Sequence, residues 1–328
     1  MKPADNDGNP VPSYPRELAL PVVSLSGWKD SLATALLAIE RHGRDRVRLQ
    51  YADTGNEHPL VEEYVYEYLP DALGVTIETV RADFSKEIER KRTYIDTVWR
   101  DEGVAEDTIK TALEFLVPTG IPFLDLCVWK GRFPSRRAQF CTQELKTRPL
   151  TRALFDIARS TNLYVENWQG VRRDESSARK NALVWEDGDC GLWIHRPIAT
   201  WTAQDTFDIA RRHGIKSNPL YSFGCTRVGC MMCINTSKSE ISNVQSRWPF
   251  VIEKIEKWEF IVRKCSKRQL ATFFFFDSKE GRTDIEHYQA NNIRQAVAWS
   301  QTSRGGQQFD LEHFMPRSEC SSQYGLCE

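Results

Sequence analysis

Two hydrophobic periods alternate along the chain. A short run of mostly β-favouring residues, Val22-Val-Ser-Leu25, passes through Ser26-Gly27 into a stretch where Leu32, Ala35, Leu36 and Ile39 share one helical face. That pattern predicts a strand, a tight polar turn and a helix. Val47–Tyr51 is a second short strand candidate and ends in Asp53-Thr-Gly-Asn-Glu57-His-Pro-Leu. Pro59 stands where a first helical turn tolerates proline, and Val61, Val65 and Leu69 continue on a helical face. Gly74–Ala82 reads as a third strand and Leu163–Trp168 as another. Between them a highly charged helical region runs to about Leu116, with Glu87–Arg92 as a solvated face. Helical patterns return at Asp205–His213, Pro249–Lys264 and Ile285–Gln301, and Phe273–Phe276 is expected to pack inside.

Strands alternating with helices predict an α/β fold around a parallel sheet. In such sheets ligands bind outside the carboxyl ends of the strands, and polar turns follow three of the strand candidates here. The length, 328 residues, suits one large α/β domain with a smaller appendage. The expected division is a flexible tail over 1–17, rich in Pro, Asn, Asp and Gly, a main domain over 18–235, and a helical extension over 236–328. A net charge of −1 gives no global case for nucleic-acid or membrane binding, so any such surface is local. No apolar run reaches the ~18 residues of a membrane span, and no signal-peptide apolar region opens the chain. The cytoplasm is therefore the expected compartment. There the nine cysteines are not expected to be a disulfide framework.

The chemistry starts at the first turn. A helix beginning after Ser26-Gly27 aims free backbone N–H groups and its positive dipole end at whatever lies over the turn. Ser24, Ser26 and Ser31 add hydroxyls, Gly27 permits close backbone approach, and Lys29 adds a positive charge. A polyphosphate is the natural ligand, although the Walker pattern is absent. At the second turn, Asp53 and Glu57 are candidates for ribose, adenine or a magnesium-bound water; the alternative is an Asx-type turn and a helix-capping carboxylate. The third turn, Gly170-Val-Arg-Arg-Asp-Glu-Ser-Ser-Ala-Arg179, is rich in guanidinium groups that match phosphate or sulfate bidentately. Lys130, Arg132, Arg136 and Arg137 gather around Trp129 and Phe133, either as a loop for phosphates or a nucleic-acid strand or as scattered surface charge.

Ser26-Gly-Trp-Lys-Asp-Ser31 resembles the Ser-Gly-Gly-x-Asp-Ser loop of the adenine-nucleotide α-hydrolase (PP-loop) superfamily, with Trp28 in place of the second glycine. Asp53-Thr-Gly-x-Glu57 is similar to the second motif of its phosphoadenosine phosphosulfate (PAPS) reductase-like branch. Gly170-x-Arg172-x-x-Glu175-Ser176-x-x-Arg179 looks like a third. Pro197-Ile-x-x-Trp-Thr-x-x-Asp205 and Asn218-Pro-Leu-Tyr221, with Arg227-Val-Gly-Cys-x-x-Cys233, resemble further segments of reductase-like proteins. The resemblance implies a Rossmann-type PP-loop domain over 18–235.

Cys225, Cys230 and Cys233 supply three soft ligands at chelating spacing, which select zinc or an iron–sulfur cluster. The family resemblance implies a [4Fe–4S] cluster with Cys141 as the fourth ligand, since Phe140-Cys-Thr-Gln-Glu resembles the family's other cysteine segment. It further implies an ATP pyrophosphatase coupled to sulfur chemistry, similar to the cluster-bearing enzyme of DNA phosphorothioation systems found in phages and defence loci. The catalytic residues expected are Lys29, Asp30, Arg172 and Arg179, with ATP and Mg²⁺ as cofactors. The adenine nucleotide would be held by Ser24, Ser26, Gly27, Lys29, Asp30, Ser31, Asp53, Glu57, Arg172, Glu175, Ser176 and Arg179. The partners expected are a cysteine desulfurase-like sulfur donor and a nucleic-acid acceptor, with partner proteins or a second copy of the chain. Two alternatives stand beside it: a sulfonucleotide reductase whose tail thiolate Cys327 attacks sulfate sulfur, and a nucleotide- and cluster-binding regulator. Lys29-Asp30-Ser31 favours ATP, because typical reductase loops drop that ending.

Overall fold

The structure is a computed structural model and describes residues 10–188 and 192–302. The strands are β1 (Ala19–Leu25), β2 (Arg48–Asp53), β3 (Ile77–Arg81), β4 (Tyr164–Trp168), β5 (Trp185–Gly188) and β6 (Leu192–His195). They form a six-stranded sheet in the order β3-β2-β1-β4-β6-β5. Every neighbouring pair is parallel except β5–β6. That antiparallel pair was not anticipated from the sequence, because its two short strands carry little alternating pattern.

The helices in chain order are α1 (Lys29–His42), α2 (Pro59–Glu63), α3 (Leu69–Leu73), α4 (Ser85–Tyr94), α5 (Glu106–Phe115), α6 (Pro122–Lys130) and α7 (Phe140–Thr142). They continue as α8 (Arg148–Ser160), α9 (Ala203–Arg212), α10 (Lys238–Arg247), α11 (Pro249–Lys264), α12 (Asp284–Asn291) and α13 (Ile293–Ser300). None is long and apolar enough to cross a membrane among the described residues.

β1 is buried on both faces, as expected of a central parallel strand. Val23 and Leu25 pack with Leu32, Leu36 and Phe207, while Leu20 and Val22 pack with Leu154 and Ile157 from α8. Helices therefore cover both sides of the sheet. From β1 the chain moves to β2 on one side and, later, to β4 on the other, so the strand order reverses at β1. The crevice outside the carboxyl ends of β1 and β4 is the place where such a fold binds ligands.

The helical extension joins the same core, with Val251, Ile255, Val262 and Ile293 buried in one cluster with Val23 and Leu49. α11 occupies the predicted Pro249–Lys264. The helix expected over Ile285–Gln301 is two, because Asn292 adopts an extended backbone and caps α13 by accepting the Gln295 N–H. The Phe273–Phe276 run is packed inside only at its start: Phe273 is 3% exposed, whereas Phe275 is 55% exposed. In the tail, Tyr14 stacks on Tyr164 at 4.2 Å and donates a 2.9 Å hydrogen bond to Glu166, so its described part is pinned to β4.

Buried Glu259 fastens the extension. Its carboxylate accepts the Phe273 N–H at 2.7 Å and the Ile293 N–H at 2.9 Å. Burial lifts its pKa to about 7, which the two backbone donors only partly counter. The folded state thus holds this proton more tightly than the unfolded chain. The stabilisation that follows is complete below pH 4.5 and is lost as pH rises towards 7. Glu259→Gln should flatten the fall in melting temperature across that window, a change of a few degrees for a chain of this size. Parallel slopes for the variant and the parent would refute this assignment.

Candidate functional site

The turn after β1 is closed by its own side chains. Ser31 Oγ accepts from Ser26 N and from Ser26 Oγ, both at 3.1 Å, and donates to the Trp28 carbonyl at 3.0 Å. Gly27 takes a positive φ of 74°, and a Cβ there would lie 3.2 Å from Val61 and Val65, so glycine is required for both reasons. Tyr221 accepts the Lys29 backbone N–H at 3.3 Å, and Asn218 donates to the Gly27 carbonyl at 3.4 Å. Ser24 lies one residue before the end of β1, opposite Gln50. Lys29, Asp30 and Ser31 form the first turn of α1 and are all buried.

Asp30 is held between two cations. Its Oδ2 lies 3.2 Å from Lys29 Nζ, and its Oδ1 accepts from Arg172 Nε at 2.5 Å. Arg172 arrives from the end of β4 and also pairs with Asp174. Burial opposes its charge, but the bond and charge of Asp30, with Asp174, raise its pKa above the usual guanidinium value. The approach is possible because Gly170 has no side chain: a Cβ there would stand 2.8 Å from the backbone of Asp30 and Ser31. Lys29 and Arg172 thus face two carboxylates, Asp30 and Asp174, so the set is balanced in charge, and the pull on an anion at the N-terminal end of α1 comes from the helix dipole and the free N–H groups of its first turn.

Asp53 and Glu57 build their own turn. Asp53 accepts the Gly55 N–H at 2.8 Å and faces Arg81 at 3.5 Å. Glu57 accepts from the Thr54 hydroxyl at 2.6 Å and from the N–H groups of Thr54 and Asn56 at 3.2 and 3.1 Å. The cap of α2 is His58, whose Nδ1 accepts the Leu60 N–H, and not Glu57. Arg179 pairs with Glu175 away from Asp30's ion pairs, and Ser176 accepts the Arg179 N–H through its carbonyl. Of the third motif, the geometry brings Arg172 to the loop and leaves Glu175 and Arg179 paired with each other.

The thiols divide. Cys230 sits beside the second turn: Glu57 and Cys230 form a β-bridge, and the Thr54 hydroxyl is 3.4 Å from its Sγ. Burial pushes the Cys230 thiol up to about 11, with Lys146 opposing and Glu57 adding to the rise. Cys141 is raised by burial and by the charge of Cys233. Lys146 is a cation common to Cys230, Cys233 and Cys141, whose negative charge would favour its protonated form against burial. Cys225 is not brought to this group; the charges acting on it are Glu240 and Arg247, and burial pushes it up to about 12. Among the described residues no three His, Cys, Asp or Glu side chains stand at the spacing of a metal-ion site.

Lys146 was missed in the sequence. It is five residues after Cys141, and a π-type turn over Gln143–Thr147, with its i→i+5 period, is what aligns the two. A lysine at i+5 in an ordinary helix points elsewhere, so nothing in the spacing announced it. The basic segment is also reshaped. Phe133 is buried against Phe273, and Trp129 is stacked on Phe84 with Lys130 Nζ 3.6 Å above its ring. Arg132 lies over Phe140. Arg136 and Arg137 are exposed.

Residues 125–236 match the phosphoadenosine phosphosulfate reductase domain. The chain is 44% identical over 331 residues to a 37.8 kDa protein of the gpa 5′ region of Escherichia phage 186, covering 95% of this chain and 98% of that protein. It is 24% identical over 178 residues to adenosine 5′-phosphosulfate reductase of Mesorhizobium japonicum, covering 53% of this chain and 62% of that enzyme. It thus spans less than two thirds of that reductase. A nin region protein of Escherichia phage lambda is 29% identical over 191 residues, 57% of this chain and 60% of that protein. Among solved structures, PAPS reductase of Candida auris in its phosphate complex is similar with a TM-score of 0.40 and 15% identity, over 67% of this chain and 84% of that one.

Gly170→Ala forces a methyl group into backbone that cannot retreat as a flexible side chain would. The expected cost is about 1–3 kcal/mol, read as a lower urea midpoint at unchanged slope. An unchanged midpoint would show that β4 and α1 do not need this approach.

Proposed function

The chain belongs to the phosphoadenosine phosphosulfate reductase domain family, and we propose that within it this protein is an ATP pyrophosphatase that adenylates an acceptor in sulfur-transfer chemistry. The observation that carries the reading is the buried Lys29–Asp30–Arg172 set at the start of α1. It presents two cations and a helix N-terminus to the crevice where the strand order reverses.

The backbone N–H groups of the loop, with Ser26, Ser31 and Lys29, would hold the β- and γ-phosphates. An oxygen of the acceptor attacks the α-phosphorus, the bond to the bridging oxygen breaks, and pyrophosphate leaves with that electron pair. The acceptor's proton passes to solvent, and the acceptor is left adenylated. Arg172 and Lys29 stabilise the charge that gathers on the leaving pyrophosphate, so catalysis is positioning and electrostatics. Both oxygens of Asp30 are engaged by these cations, and its role in this account is to aim them. Mg²⁺ would supply further charge neutralisation on the phosphates.

The thiols extend the reading to sulfur. Cys141, Cys230 and Cys233 are soft donors suited to an iron–sulfur group, and Lys146 beside them suits its negative charge. To hold a [4Fe–4S] cluster they would have to draw closer together than they stand here, and the cluster would then supply a place to hold or deliver sulfur. Cys225 would serve as the remaining ligand only after leaving Glu240 and Arg247. The acceptor is a nucleic acid or another oxygen nucleophile, and the sulfur donor a desulfurase-like protein.

A second reading, a sulfonucleotide reductase, is favoured by the similarity to the named adenosine 5′-phosphosulfate reductase. Its thiolate, Cys327, lies outside the described residues.

Anaerobically purified protein supplied with Mg-ATP or with phosphoadenosine phosphosulfate separates the two. The expected products are AMP and pyrophosphate, with the rate reduced roughly 10²–10³-fold in Asp30→Asn. Sulfite formed only while Cys327 is intact would overturn the ATP reading in favour of the reductase.

A further inference from the structure

The residue that departs from the family loop is Trp28, and the structure gives it specific neighbours. It is the N-cap of α1, and its indole meets the segment that carries Cys230. Gly229 receives it: a Cβ there would lie 3.1 Å from Trp28 Nε1, and Gly229 itself has a φ of 133° that disfavours any side chain. The Arg227 guanidinium lies over the same ring, 5.5 Å from its centroid, and Lys29 Nζ is 5.9 Å from it. One indole thus has two cations about it, and the second of them belongs to the buried loop set.

Arg227 is exposed, and among the described residues no carboxylate is paired with it. A planar guanidinium that rests on an indole keeps its five N–H donors free at its edge. Its position is set by the ring and not by an acid, so its charge is not neutralised locally. The neighbouring cation Lys29 lies beside Asp30, and Asp30 also binds Arg172. Arg227 is therefore the uncommitted cation of the group.

We propose that Trp28 is a shelf that holds Arg227 beside the phosphate loop, making Arg227 a further ligand for the distal phosphates of a bound nucleoside triphosphate. The inference rests on the reading of the loop as a nucleotide site. It assigns the binding role to a residue three positions before Cys230, so the segment bearing that thiol is tied to nucleotide occupancy through Arg227 and Gly229.

The test is nucleotide binding by calorimetry to the full chain with Mg-ATP and, separately, AMP. The variants are Arg227→Ala, Trp28→Gly, Trp28→Phe and the Arg227→Ala/Trp28→Gly pair. A charge-assisted contact of this kind is worth roughly 10-fold or more in affinity. Arg227→Ala should weaken ATP by about that factor while leaving AMP near the parent value. Trp28→Gly should lose as much, Trp28→Phe should retain most of it, and the double variant should be no worse than either single one. ATP affinity unchanged in Arg227→Ala, with the parent binding ATP, would overturn the shelf and leave the nucleotide reading standing. Equal losses for ATP and AMP would also overturn it, since the contact would then not be to the distal phosphates. A parent that binds neither nucleotide would remove the nucleotide reading itself and this inference with it.

Discussion

The ion set Lys29–Asp30–Arg172 joins two parts of the sheet that are far apart in sequence, the turn after β1 and the end of β4. All three side chains are buried, and buried charges persist only when paired and hydrogen-bonded. Asp30 satisfies both cations with its two oxygens, and the Gly170 backbone closes over it with no room for a methyl group. Removing one member of such a set leaves an uncompensated buried charge, which typically costs about 3–5 kcal/mol. The same set that fastens α1 to β4 places Lys29 and Arg172 at the N-terminal end of α1, where the helix dipole acts in the same direction.

The segment that bears Cys230 is fastened to two of the strand-end turns. Met231 N donates to Asn56 O at 2.7 Å, Asn56 Nδ2 donates to Met232 O at 3.1 Å, and Lys254 bridges Asn56 and Met231. Cys230 is thereby docked on the turn after β2, while Gly229 is docked on Trp28 of the turn after β1. α11 contributes Lys254, so the helical extension closes the thiol segment from behind. The proposed function needs the loop after β1 and the thiols beside the turn after β2 to act together, and these contacts hold them on adjacent strand ends.

Much of this was legible in the sequence, and the reasons differ by element. β1 and β2 were readable as short apolar runs that end in polar turns, and α1 by apolar positions at helical spacing, although residues 29–38 prove buried on every side. α11 was readable through Pro249 at its first position. The antiparallel pair β5–β6 was not, since four-residue strands carry too little pattern. In the site, the loop residues announced themselves by type and order. The Asx-type turn offered as the alternative for Asp53 is the one found, but the sequence could not say that Glu57 spends its oxygens on Thr54 and Asn56, or that Arg179 is paired with Glu175, because both depend on local geometry. It could not place Cys225 apart from the other thiols, since spacing describes chain distance and not burial. Lys146 needed the π-type turn to reach Cys141's side of the helix.

The proposed function stands on anionic phosphates binding at the N-terminal end of α1, beside Lys29 and Arg172. A crystal structure with Mg²⁺ and an ATP analogue whose α–β bridge is a methylene group tests it most directly. Phosphate oxygens are expected within hydrogen-bond distance of Ser26, Lys29 and Ser31, with Arg172 turned towards them. An analogue bound elsewhere, with the Lys29–Asp30–Arg172 set untouched, would contradict it.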